Sequence, residues 1–135
     1  MSTFVDTSAL IAVLDADDQN HAAATATWKE LVTSDTDLVC TNYIMVEAFA
    51  LIQNRLGMTA VRSYHEDIVP LLKIEWIDAQ QHARSVSALL IAGRRQLSLV
   101  DCSSFETMRS LGIVEAFTLD RHFTEQGFQC SPRTQ

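Results

Sequence analysis

Four acidic side chains occupy positions where a carboxylate is more than a solubilising surface group: Asp6, Glu47, Asp101 and Asp120. Asp6 ends the β-prone run Thr3 to Val5 and precedes the helix-prone apolar stretch Ala9 to Leu14, whereas Asp120, in AFTLDRHF, closes the last clear strand. Glu47 is the only charged residue from Tyr43 to Ile52 and shares a helix face with Ile44 and Leu51, at steps of three and four. A carboxylate stranded there demands a partner, because an ionised group in apolar surroundings costs several kcal/mol unless compensated; the strong cations near it in sequence are Arg55 and Arg62. Asp101, in LSLVDCSSFETM, lies three residues after Ser98. Each acid has an ordinary structural reading: an N-cap for Asp6, an ion pair with a neighbouring helix for Glu47, a capping box with Ser98 for Asp101 and a turn acid for Asp120. Four carboxylates converging on one edge could not all stay ionised without a counter-charge, since like charges raise one another's pKa. A divalent cation would supply it. Ligation by oxygen favours Mg²⁺ or Mn²⁺, and the lack of a Cys/His cluster disfavours zinc. Such ions lower the pKa of water and clamp the oxygens of a phosphodiester, the two-metal arrangement of nucleases.

The elements that must position these groups can be read from periodicity. After the opening strand, Ala24, Trp28 and Leu31 recur at helical steps as far as the turn-like Thr33 to Asp37, and Leu38 to Cys40 reads as a strand. Thr41 or Asn42 caps a helix from Tyr43 to Arg55, ended by Gly57; Thr59 caps another that carries Val61, Tyr64, Ile68 and Leu71 on one face, with Pro70 disturbing its end. Ile74 to Ile77 is strand-like, Asp78 caps a helix that closes near Gly93, and a further helix runs from about Ser98 to Leu111, stopped by Gly112. The strand Val114 to Leu119 follows, and Phe128 to Cys130 suggests a last short one. Strands alternating with helices predict an α/β fold with a mainly parallel sheet and helices on both faces. Functional groups gather at the carboxyl ends of such strands, so Asp6 and Asp120 would open onto the same edge.

At 135 residues the chain is expected to form one domain, spanning 1–135, around a single core. Hydrophobic residues at 47%, with four glycines and two prolines, exclude a disordered chain. Apolar runs such as Ala88 to Ala92 fall far below the roughly 18 residues that span a bilayer, and MSTFVDTSAL carries no basic leader region, so no membrane role is expected. Three widely separated cysteines, Cys40, Cys102 and Cys130, suit a reduced cytoplasm. The net charge of −7 excludes a general nucleic-acid coat, so that any nucleic-acid role would need local, metal-assisted attraction.

FVDTSALIAVLD, NYIMVEAFALI, LSLVDCSSFETMRSLGI and AFTLDRHFTEQGF, in that order and across essentially the whole chain, resemble the motifs of the PIN-domain ribonucleases, and among them the small VapC-type toxins of toxin–antitoxin modules. The resemblance implies a three-layer α/β/α sandwich with a mainly parallel central sheet, and an endoribonuclease that uses Mg²⁺ or Mn²⁺. It implies Asp6 and Asp101 as principal metal ligands, Glu47 binding metal through water or orienting the attacking water, and Asp120 completing a second or weaker metal position. Ser8 occupies the hydroxyl position of the first motif, where a helix-cap role competes with direct participation. Arg121 and His122 flank Asp120 and would touch substrate phosphate or face water. Arg94 and Arg95 precede the Asp101 helix as a candidate phosphate contact, His21 reads as a structural hydrogen-bonding residue, and Trp28 as core or partner interface. The implied partners are an RNA substrate, a cognate antitoxin that covers the acidic groove, and a second copy of the chain in a homodimer. A phospho-acceptor receiver domain, also an α/β protein with acids and Mg²⁺, is the alternative, but it would want a lysine near the last strand, and Lys29 and Lys73 are not so placed. A catalytically silent PIN-like interaction module is a third reading.

Overall fold

The first strand of the computed structural model, β1 (Ser2–Val5), lies at the centre of a five-stranded sheet in which every pairing is parallel. The structure describes residues 1–133. On one side of β1 lie β2 (Asp37–Thr41) and then β3 (Lys73–Glu75); on the other lie β4 (Glu115–Phe117) and then β5 (Gln129–Ser131). The inner strands have β-branched and aromatic residues with both faces covered, as a parallel sheet requires: Phe4, Val5, Leu38, Val39, Ala116 and Phe117 are all buried. Helices α1 (Thr7–Leu14), α2 (His21–Thr33), α3 (Asn42–Leu56), α4 (Met58–Ser63), α5 (Ala79–Ala92), α6 (Leu99–Leu111) and α7 (Arg121–Glu125) complete a three-layer α/β/α sandwich. Among the described residues no helix is long and apolar enough to cross a membrane.

The chain leaves β1 toward β2 and β3, then returns past β1 to build β4 and β5. The crevice outside the carboxyl ends of β1 and β4 is therefore the point where the winding reverses, the place where open α/β sheets bind ligands. Asp6 directly follows β1, and its backbone N–H continues the ladder by donating to the Phe117 carbonyl at 3.0 Å.

Local chemistry accounts for most boundaries. Thr41 caps α3 by accepting from the Ile44 N–H (3.1 Å), and capping boxes start both α5, from Asp78 and Gln81, and α6, from Ser98 and Asp101. Gly93 and Gly112 end these two helices in the left-handed conformation, with φ of 61° and 69°, where any other L-residue is strained. Trp28 stacks on Phe117 at 5.9 Å between ring centroids, which places it with the core.

Several boundaries differ from the sequence reading. Helix α4 starts at Met58 directly after Gly57, so Thr59 lies inside its first turn and caps nothing. The helical path then widens into a π turn over Tyr64–Ile68 and tightens into a 3₁₀ turn over Val69–Leu71 that contains Pro70. Tyr64 and Ile68 face the core as expected, but Leu71 has turned outward and is 51% exposed. Strands β3 and β4 are shorter than Ile74–Ile77 and Val114–Leu119, because the chain must leave the sheet early to place Asp78 and Asp120 at helix starts. The last strand begins one residue later than Phe128. The short helix α7 carries no apolar periodicity that announces it.

Candidate active site

The four acids line one cleft of about 440 Å³, together with Asp18, Asn20, Ser8 and Arg55. Each reaches it from a different element: Asp6 from the β1–α1 junction, Glu47 from α3, Asp101 from the first turn of α6 and Asp120 from the start of α7. A larger cavity of about 660 Å³ adjoins it and shares Leu119 and Asp120, but the other three carboxylates lie outside it.

Asp6 stands at the N-cap position of α1, yet its side chain makes no capping hydrogen bond. Instead Oδ2 accepts from Ser8 Oγ at 2.7 Å and from Thr118 Oγ1 at 2.8 Å. The same hydroxyls serve the segment after β4: Ser8 Oγ accepts from the Leu119 N–H at 2.9 Å and Thr118 Oγ1 from the Asp120 N–H at 3.0 Å. Two hydroxyls thus fix Asp6 and at the same time set the path of the chain that carries Asp120. Burial pushes the Asp6 carboxyl up to about 6; the two hydroxyl bonds pull against this, and the charges of Asp101 and Asp120 add to it.

Glu47 is half-buried, and burial raises its pKa, with Asp101 and Asp120 adding repulsion. The nearby Thr7 hydroxyl, buried and without a geometrically formed hydrogen bond of its own, acts in the opposite direction. Among the described residues Glu47 has no ion pair with either Arg55 or Arg62. Asp101 performs the capping role read from sequence, accepting from the Ser98 N–H at 3.0 Å while its own N–H donates to Ser98 Oγ at 3.1 Å. It does so while lining the cleft, so the cap and a cleft-wall carboxylate are the same group. Burial raises its pKa, its bond from the Ser98 N–H lowers it, and Asp120 raises it again. Asp120 caps α7, its Oδ1 accepting from the His122 N–H at 2.9 Å.

Of the flanking candidates, Ser8 is in the cleft, whereas Arg121 is turned toward the adjoining cavity with its side chain 88% exposed and 4.0 Å from Glu125. Arg94 pairs with Glu125 at 3.3 Å. His21 joins α2 to α1 through Nδ1 and the Ala12 carbonyl at 2.8 Å, a structural role. Thr118 escapes a sequence reading; only its position as a hydroxyl two residues before Asp120 hints at it. His122, a flanking candidate, faces Asp120: its Nδ1 lies 3.0 Å from Asp120 Oδ1 outside hydrogen-bond geometry. Asp101, Asp120 and His122 each offer a donor atom within 4.8 Å of the others.

The donor set fits a divalent cation. Carboxylate oxygens predominate, the charges of Asp101 and Asp120 raise the pKa of Asp6 and Glu47, that of Asp120 raises the pKa of Asp101, and among the described residues Arg55 is the single strong cation on the cleft wall.

The PIN domain family model matches residues 3–129. This chain belongs to the PIN-domain family. The match leaves the receiver-domain alternative without support. The PIN domain here is 29% identical over 126 residues to the 23S rRNA-specific endonuclease VapC20 of Mycobacterium tuberculosis, covering 93% of this chain and 94% of that protein. The crystal structure of VapC20, described as a sarcin-ricin loop cleaving toxin, superposes with a TM-score of 0.83 at 28% identity, over 93% of this chain and 95% of that one. FitAcB from Neisseria gonorrhoeae shares the fold alone, at 17% identity and a TM-score of 0.66, with 96% of each chain covered. So does VapBC2 from Rickettsia felis, solved with a promoter DNA fragment, at 9% identity and 0.69, over 97% of this chain and 98% of that one.

Proposed function

We propose that this PIN domain is an endoribonuclease, the toxin of a toxin–antitoxin pair, which hydrolyses RNA phosphodiesters with Mg²⁺ or Mn²⁺ held by Asp6, Glu47, Asp101 and Asp120. The observation that carries the reading is the convergence of the four carboxylates on a single cleft at the sheet's switch point, in a chain similar over 93% of its length to an rRNA endonuclease. When bound, the cation supplies positive charge to the phosphodiester and lowers the pKa of water.

The residues divide the remaining work. Asp6 is held in one orientation by two hydroxyls, which suits it to be a fixed ligand that needs no rearrangement. Asp101 is fixed by its capping box. Asp120 rides on the segment that Ser8 and Thr118 position, and completes the ligand set beside Asp101. Glu47 is free of such ties; with its pKa raised by burial, it orients the attacking water and takes its proton. A cognate antitoxin would silence the enzyme by covering the cleft and placing a cation among the acids. The exposed Val46 on α3 and Leu90 and Ile91 on α5 offer apolar surface for that partner or for a second copy of the chain.

The test is cleavage of purified 23S rRNA and of structured RNA fragments with Mg²⁺, with Mn²⁺ or with chelator, beside Asp6→Asn and Asp101→Asn variants shown by circular dichroism to be folded. Cleavage should need the ion and vanish in both variants. Cleavage that survives chelation, or both substitutions, overturns the reading, and intact RNA under every condition favours the silent interaction module.

A further inference from the structure

Among the described residues Arg55 is the one strong cation lining the acidic cleft, and it is placed there by helical geometry. Glu47, Leu51 and Arg55 follow one another at intervals of four along α3, and all three line the cleft. About 12 Å of helix axis separates Glu47 from Arg55, so the guanidinium flanks the carboxylates without lying at the reacting centre. Arg55 is exposed, and among the described residues it makes no ion pair. That independence is notable in a cleft that also holds Asp6, Asp18, Glu47, Asp101 and Asp120. A guanidinium that neutralised an acid would have to be drawn in against one; this one keeps its donors free.

The net charge of −7 sharpens the point. A polyanion approaching this face meets carboxylates first, and the bound cation answers only for the phosphate at the centre. The neighbouring phosphates need their own counter-charge, and a planar fork of N–H donors matches phosphate oxygens. We propose that Arg55 grips an RNA backbone phosphate flanking the scissile one, fixing the strand's position along the cleft. The proposal rests on the ribonuclease reading above and adds a substrate-binding residue to it. An ordinary alternative is a charge that favours the carboxyl end of α3, where Arg55 occupies the last turn.

The two roles separate in a binding experiment. A fluorescein-labelled single-stranded RNA of mixed sequence is titrated with the Asp6→Asn protein in Mg²⁺, a background in which no cleavage is expected, and affinity is followed by anisotropy across a range of KCl. Adding Arg55→Ala should weaken binding roughly 3- to 10-fold at low salt and make the plot of log K against log salt shallower by about 0.7, the value for one lost single-strand phosphate contact. Arg55→Lys should keep the slope and recover part of the affinity. Arg62→Ala, which removes the same charge from exposed surface on α4, should change neither. In the otherwise unaltered enzyme Arg55→Ala should raise KM and leave kcat in place. A salt slope unchanged by Arg55→Ala, or shifted equally by Arg62→Ala, overturns the assignment to Arg55 while leaving the nuclease reading intact. If the parent protein gives no anisotropy change at all, the RNA reading fails and this inference with it.

Discussion

Asp6 shows how a residue's position and its work can part. It stands where a helix cap stands, but its carboxylate is turned away from the α1 amides toward two side-chain hydroxyls. Because folding raises its pKa from 3.8 to about 6, the folded chain holds this proton more tightly than the unfolded one. The contribution to stability is fully present below about pH 4 and is lost as the pH rises through 6, an effect of about 3 kcal/mol. In chelator, the stability of the wild-type protein relative to Asp6→Asn should therefore fall between pH 4 and pH 7, as measured by urea denaturation; a difference that stays flat or grows would contradict the burial argument. The hydroxyls make a second prediction. Ser8→Ala and Thr118→Val each remove one donor from Asp6 Oδ2, at about 1 kcal/mol of stability, but under the proposed function they also release a ligand from its orientation. A 10- to 100-fold loss of metal affinity or kcat should follow, read by calorimetric titration with Mn²⁺ and by single-turnover cleavage.

At the scale of elements, two capping boxes of the same design do different things. Ser98 and Asp101 start α6, and Asp78 and Gln81 start α5, yet only the first contributes a carboxylate to the cleft. Ser98→Ala and Asp78→Ala should both cost about 1 kcal/mol in thermal unfolding, while activity should fall only for Ser98→Ala. Equal losses of activity would mean that general loosening, not the orientation of Asp101, is responsible. The contrast also explains what a reader of the sequence can see. A capping box needs only residues three apart, and the stops at Gly93 and Gly112 need only the glycine itself, which is why α5, α6 and Asp101's local partner were legible. The bond from Thr118 to Asp6 spans 112 residues, and no local pattern encodes it. Helix α7 and the π turn at Tyr64–Ile68 were hidden for a related reason: their backbone is set by what packs around them, including the buried Tyr64 and Phe123.

For the molecule as a whole, the acids could be named from sequence because each stood at a strand end or on an apolar helix face; the alternating pattern of strands and helices directed Asp6 and Asp120 to one edge, and the resemblance to the PIN-domain motifs implied that Glu47 and Asp101 join them. His122 and Arg55 could not be ranked this way, since a histidine beside a turn and an arginine in a last helical turn are ordinary at the surface. The concentration of carboxylates has a global consequence. A divalent ion that binds only the folded form stabilises it by about 2.7 kcal/mol at one hundred times its Kd, enough to raise Tm by several degrees for a chain of this size. Mg²⁺ or Mn²⁺ should do so at pH 7.5 and much less at pH 5, where Asp6 retains its proton, as differential scanning calorimetry can determine. An equal rise at both pH values would point to binding elsewhere.

The Ser8 and Thr118 hydroxyls also tie function to the order of synthesis. Asp6 and Ser8 leave the ribosome more than a hundred residues before Thr118, Leu119 and Asp120, and through that interval they have nothing to hold. Until then the growing polypeptide has acids but no enclosed cleft, so under the proposed function the cutting centre is completed only when the segment after β4 has emerged.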